Sequence, residues 1–250
     1  ELSLVIDDMV ESSDQLQLSN YLMNWLNNKI KDDLKSLIDL KQIKISNPSI
    51  RALAYQLYEN NGVIKREDVS NFLNNLGQKE RRVLRELGVK FGRYHIFLYK
   101  LFKPNAVSLR IALWRNYHQK YFQLKPPKFG LNFLEHKNPE NKNFMLLCGF
   151  EKFDQFFVRI DILERLFVKI MNSNPENKNE IKLIPEMLNL LGCSKDSFMK
   201  LIQKMNYKTF EKNDETYFKY DAIKRFKKND KFKSNNKNNP FSVLKQMSFK

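Results

Sequence analysis

The sequence predicts a mainly α protein, a helical bundle followed by a small winged-helix-like α+β unit and a disordered basic tail. Three observations point there. Apolar residues recur at three- and four-residue spacing through the first 130 positions, two aromatic-rich extended segments lie near 207–220, and the end is rich in Lys and Asn without apolar periodicity. The expected organisation is a helical domain at 1–128, a linker at 129–143, an α+β domain at 144–222 and a low-complexity tail at 223–250 with a terminal short motif.

Leu18, Tyr21, Leu22, Trp25, Leu26 and Ile30 form an apolar stripe on a helix reaching about Lys41. Asn47-Pro48 is a helix start, with asparagine capping and proline in the first turn, and Gly62 ends that helix. A further helix is expected from about Lys65 to Leu76, stopped by Gly77, and a short one over Gln78–Leu87, stopped by Gly88. In RYHIFLYKLF, Tyr94, Phe97, Leu98 and Leu101 occupy one helical face, and His95, Tyr99 and Phe102 a stripe beside it. Apolar on two sides, this reads as a buried helix. After Pro104, Val107, Ile111, Trp114, His118 and Tyr121 make one seam, flanked by Arg110 and Arg115. The rings of this region are therefore read as core and its cations as rim.

KPPKFGLNFLEHKNPENKN reads as a linker because Pro, Asn and Lys dominate it. Beyond it come a helix over Ile160–Asn172, a short extended IKLI, then PEMLNLL, a Gly192-Cys193-Ser194 turn, and a helix over KDSFMKLIQKMN. Two strands then flank Asn213-Asp214. Two short helices joined by a glycine-containing turn and followed by a hairpin have a winged-helix-like layout. Phe198, Leu201, Ile202 and Met205 should face inward on the second helix, and Lys195, Lys200, Gln203 and Lys204 outward.

The formal charge of +16 is concentrated in blocks. Residues 1–40 hold eight acids and three Lys/Arg, whereas Arg81–Lys128 holds twelve Lys/Arg and only Glu86 against them. Ile223–Lys250 adds nine more against Asp230. Such blocks create a field felt by polyanions, so RNA or DNA is the expected partner. The phosphate contacts expected are Arg81, Arg82, Arg85, Lys90, Arg93, Lys100, Lys103, Arg110 and Arg115, joined by Lys195, Lys200 and Lys204 on the second unit.

Catalytic patterns are missing. There is no Gly-x-x-x-x-Gly-Lys-Ser/Thr loop, and His95, His118 and His136 have no ligand-spaced Cys, Asp or Glu beside them. No Ser/His/Asp or Cys/His constellation stands out, so neither a catalytic residue nor a metal site is assigned. Cys148 and Cys193 lie far apart, which fits a reducing, cytoplasmic setting, and no apolar run is long enough for a membrane span. The chain starts at Glu1 and not at methionine, so it is expected to be part of something longer.

The stretches LRELGVKFGRYHIFL (84–98), LFKPNAVSLRIALW (101–114), VRIDILERL (158–166) and LNLLGCSKDSFMKLIQKMNY (188–207) resemble the C-terminal accessory region of alphaproteobacterial DExH-box helicases related to the RNA helicase of the mitochondrial degradosome. RALAYQLYENNGVIKRE (51–67) and the closing NPFSVLKQM resemble it too, in the same order. The resemblance implies an ATP-dependent helicase as parent, with its motor domains upstream as partners and ATP and Mg bound there. This chain itself is expected to carry no cofactor. In that setting the helical domain would hold a strand leaving the motor, and the second unit would brace the motor or touch duplex. The alternative is a protein-interaction module, docking through the acidic N-terminal helix and the terminal PFSVL segment. Association with a membrane surface is a third and weaker option, since the apolar faces are committed to a core.

Overall fold

The computed structural model describes residues 12–43, 47–118, 123–136, 142–173 and 180–221. The expected basic tail and terminal motif, the first eleven residues and Tyr121 lie outside them. The chain divides after Tyr220, and the fold belongs to the part before that point.

It is an α+β fold, mostly helical, with three small antiparallel sheets among the described residues. The first elements are helices α1 (Ser12–Asp33), α2 (Lys35–Lys41) and α3 (Pro48–Glu59), then strand β1 (Val63–Lys65). Next come α4 (Ser70–Asn74), α5 (Gln78–Glu86), β2 (Val89–Phe91), β3 (His95–Leu98), a 3₁₀ turn (Tyr99–Phe102) and α6 (Pro104–Tyr117). β4 (Phe133–Glu135), α7 (Lys142–Leu147), β5 (Phe150–Phe153), β6 (Phe156–Arg159) and α8 (Ile160–Asn172) follow. The part closes with β7 (Ile181–Lys182), α9 (Pro185–Leu191), α10 (Lys195–Lys204), β8 (Tyr207–Lys212) and β9 (Glu215–Tyr220).

One unit of topology occurs three times. α3, α6 and α8 begin at residues 48, 104 and 160, evenly spaced. Each leads to a strand, then to one or two short helices, then to a hairpin whose second strand pairs with the first strand of the unit. The strand orders are accordingly β1-β3-β2, β4-β6-β5 and β7-β9-β8. Each hairpin is entered through a residue in the left-handed region: Gly88 (φ 90°), Gly149 (φ 91°) and Asn206 (φ 68°). That conformation reverses the chain after a helix, which is why glycine or asparagine stands there. Three core clusters are led by Leu53, Leu57 and Leu84 of the first unit, Phe144 and Phe157 of the second, and Leu166, Phe198 and Leu201 of the third, and the second unit also lends Ala106 and Leu109 to the first cluster and Phe156 and Val158 to the third.

Local signals were accurate. Asn47 Oδ1 accepts the backbone N–H groups of Ser49 (2.9 Å) and Ile50 (3.4 Å), with Pro48 at the first helical position. Ser194 caps α10 through Ser197 N, and Gly192 closes α9 at φ 69°. Asn213 and Asp214, both at positive φ, turn the β8–β9 hairpin, and Phe198, Leu201, Ile202 and Met205 are buried.

The expected all-helical first domain is corrected. RYHIFLYKLF is not a helix: His95–Leu98 is β3, the middle strand of its sheet, buried at every position, and Tyr99–Phe102 is a 3₁₀ turn. A strand covered on both faces is apolar throughout, so it satisfies a helical template as readily as an extended one. Likewise the expected helix from Lys65 to Leu76 resolves into the end of β1 and the short α4, and Phe133–Glu135, inside the expected linker, forms β4 against β6. Only part of the α1 stripe is covered: Leu26 and Ile30 pack on the first core, while Leu18, Tyr21 and Trp25 stay exposed.

Candidate nucleic-acid interface

β2, the turn to β3 and the exposed side of α8 enclose an open groove of about 1090 Å³. α8 buries Ile162, Leu163, Leu166 and Ile170 and so turns Asp161, Arg165, Val168 and Lys169 towards the groove. The opposite wall carries Lys90, Phe91, Gly92 and Arg93, with Arg66 from the end of β1 and Tyr99 from the 3₁₀ turn.

Among the described residues, five cations therefore line the groove: Arg66, Lys90, Arg93, Arg165 and Lys169. Its two carboxylates are occupied internally. Asp161 is gripped by the fork of Arg159, with Nε to Oδ1 at 2.7 Å and a second N–H to Oδ2 at 3.1 Å. Glu164 accepts the backbone N–H groups of Arg93, Tyr94 (2.9 Å) and His95 (2.9 Å). Three successive amides make an anion-binding concavity, and Glu164 fills it. Burial alone would raise its pKa, but the nearby His95 ring and the hydrogen bonds from these amides hold it below the usual carboxylate range. Gly92 permits the approach, since a Cβ there would lie 2.3 Å from the Glu164 carboxyl carbon.

Aromatic rings support the cations. Lys90 lies over Tyr99 and Arg93 over Phe167, each 5.5 Å from the ring centre, and Arg85 lies 5.7 Å over Phe91. Tyr94 meets Phe167 edge-on at 5.7 Å, locking the turn against α8. Tyr99 is exposed and Phe91 and Phe167 half-buried, so the groove presents rings as well as charge.

Beneath the turn, His95 is buried at 2% exposure between carboxylates from the second and third units. Its Nε2 is 2.9 Å from Glu151 and its Nδ1 3.7 Å from Glu164, while Lys65 Nζ is 3.1 Å from Glu151. Burial disfavours the imidazolium, but the hydrogen bond to Glu151 and the negative charge of Glu151 and Glu164 outweigh it and raise the His95 pKa above the ordinary histidine value. Glu151 is held below its usual range by His95 and Lys65, against the burial that would raise it.

The expected contacts divide. Lys90 and Arg93 line the groove, and Arg85 abuts it through Phe91. Lys100 and Lys103 are exposed just beyond Tyr99. Arg82 is exposed and paired to Glu86 at 3.2 Å. Arg81 turns inward and donates to the carbonyls of Leu76 (3.2 Å) and Leu73 (3.1 Å), closing the end of α4. Arg110 is a correction. It is 3% exposed and gives its guanidinium to the carbonyls of Asn61 (3.0 Å) and Leu101 (2.7 Å), so no phosphate reaches it. Arg115 is half-buried, donating to the Leu124 carbonyl and lying 5.8 Å over Phe144. Lys195, Lys200 and Lys204 are exposed on α10, and Lys204 pairs with Asp154 at 2.7 Å.

Arg66, Arg165 and Lys169 were not singled out by sequence. All three fall outside the dense basic block, and only the outer face of the predicted 160–172 helix, where Arg165 and Lys169 are four apart, hinted at the last two. Among the described residues no cluster of His, Cys, Asp and Glu could hold a metal ion, and no helix is long and apolar enough to cross a membrane. No family model, curated protein or solved structure matches the chain.

Proposed function

We propose that this chain is a nucleic-acid-holding module in which the groove between the β2–β3 turn and α8 grips the phosphate backbone. The observation that carries this is the imbalance of charge: five cations surround a groove whose two carboxylates are already bound inside the protein. Phosphate oxygens suit these cations, and Arg guanidinium in particular forks onto them. The groove's rings supply faces on which unpaired bases stack. The three repeats share the helix–strand–helix–hairpin order of winged helices, and we read them as winged-helix-like units. The motif resemblance supports placing the module behind the motor of an ATP-driven helicase, where it would hold the strand that the motor delivers.

Fluorescence anisotropy with labelled single-stranded and duplex RNA and DNA tests this reading. If the five cations neutralise five phosphates, log K falls against log salt with a slope of about −3.5 for a single strand. The Lys90→Gln/Arg93→Gln variant should flatten that slope by about 1.4 and weaken all base sequences alike. Absence of binding at low salt, or an affinity indifferent to salt, would remove the proposal.

A second reading has one observation behind it. Leu18, Tyr21 and Trp25 lie exposed along α1 at helical spacing, a surface suited to a protein partner. A partner retained after nuclease treatment, and released by Tyr21→Ser/Trp25→Ser, would favour an assembly role.

A further inference from the structure

Beneath the groove lies a set of four charges drawn from four elements. Lys65 comes from β1, His95 from β3, Glu151 from β5 and Glu164 from α8, so all three repeats contribute. Lys65 and His95 stand opposite each other in the β1–β3 pairing. With an imidazolium the set is neutral, two positive and two negative. With a neutral ring it carries an excess negative charge in a buried place, where such an excess is costly.

The hydrogen bonding gives the same answer. A neutral His95 that donates from Nε2 to Glu151 leaves the Nδ1 lone pair facing the Glu164 carboxylate 3.7 Å away. Nδ1 has no hydrogen-bond partner of its own, so nothing shields that lone pair. Glu164 cannot readily give up its charge, because three backbone N–H groups donate to it. Other charged groups nearby do not replace the missing proton. Asp68 and Lys142 line a cavity of about 390 Å³ together with Lys65 and His95, and offset each other. Arg66 is directed to the groove wall, donating one N–H to the Gly92 carbonyl at 2.7 Å, and Lys90 on β2 stands opposite Phe97.

We propose that His95 is a proton-dependent positioning residue: as an imidazolium it keeps Glu164 seated on the amides of residues 93–95, and so holds Arg93 in the groove. The consequence for binding rests on the strand-holding reading. Loss of the proton unseats Glu164, frees the turn and moves Arg93 away from its place over Phe167. Because the folded-state pKa is raised, the contribution is complete below the ordinary histidine pKa and is lost as pH rises through the folded-state midpoint.

The test combines imidazole and amide NMR titration of the full chain with anisotropy of labelled oligouridylate and oligothymidylate at constant ionic strength. His95 is expected to titrate above the ordinary histidine midpoint, with the Arg93 and Tyr94 amides tracking it. Strand affinity should fall through the same range, the dissociation constant rising about tenfold for each pH unit separating the His95 midpoints of bound and free protein. Glu151→Gln keeps the shape but removes one negative charge, so it should lower both midpoints together. His118→Gln and His136→Gln should leave them in place. A His95 midpoint at or below the ordinary value, or one unmoved by Glu151→Gln, overturns the inference. If no strand binds at any pH, the holding reading fails, while the coupling of the residue 93 and 94 amides to His95 still decides the positioning role.

Discussion

Arg110 offers a quantitative check on the distinction between structural and ligand-facing cations. Its guanidinium is buried without a carboxylate, and burial pushes its pKa down from 12.5 to about 10. That shift corresponds to roughly 3 kcal/mol of penalty on the charged form. The penalty is in full force at pH 7 and is relieved only as pH rises from about 10 towards 12.5. Against it stand two hydrogen bonds, to the carbonyls of Asn61 and Leu101. Arg110→Met removes the charge penalty but leaves both carbonyls without their partner, at about 1–3 kcal/mol each. The net change should be small, from a gain of about 1 kcal/mol to a loss of about 3 kcal/mol. Arg110→Lys retains a buried charge on a more strongly hydrated ammonium and cannot span both carbonyls as the planar fork does. It should therefore be less stable than the methionine variant by up to about 2 kcal/mol. Urea denaturation at pH 7 measures this, and strand affinity corrected for the folded fraction should be unchanged in both variants. A lysine variant more stable than the methionine one, or an affinity loss at full folding, refutes the reasoning.

Other outcomes follow from single sites. Gly149→Ala should destabilise the protein by about 1–3 kcal/mol in thermal unfolding, through its left-handed backbone. The added Cβ would also lie 2.6 Å from the Phe102 ring. Burial pushes the Cys193 thiol up to about 11, and Cys148 is buried, so alkylation at pH 7.5 should be slow and accelerate sharply on denaturation. Lys204→Ala should leave the melting temperature where it is, because its pairing with Asp154 is exposed on both sides.

Much of the third repeat was readable because its signals are local. Capping at Ser194, the Gly192 stop and the Asn213-Asp214 turn depend on a few adjacent residues, and α10 is exposed on one side, so its period survives. The first repeat hid its hairpin because β3 is buried on both faces, which removes the alternation that marks a strand. Charge was legible as an amount and as a block. Its direction was not, since Arg81 and Arg110 turn inward to backbone carbonyls that only the folded chain brings near.

Neighbouring residues were enough to set several helix boundaries, the final hairpin and a strong excess of positive charge, because each of these depends on chain within a few positions. Only packing brought the β2–β3 turn to α8, some 70 residues further along, and docked Glu164 onto its amides. Contacts between distant segments leave no periodic trace in either one. For that reason the groove, its cations from α8 and the charged set around His95 emerge only once the three repeats are packed together.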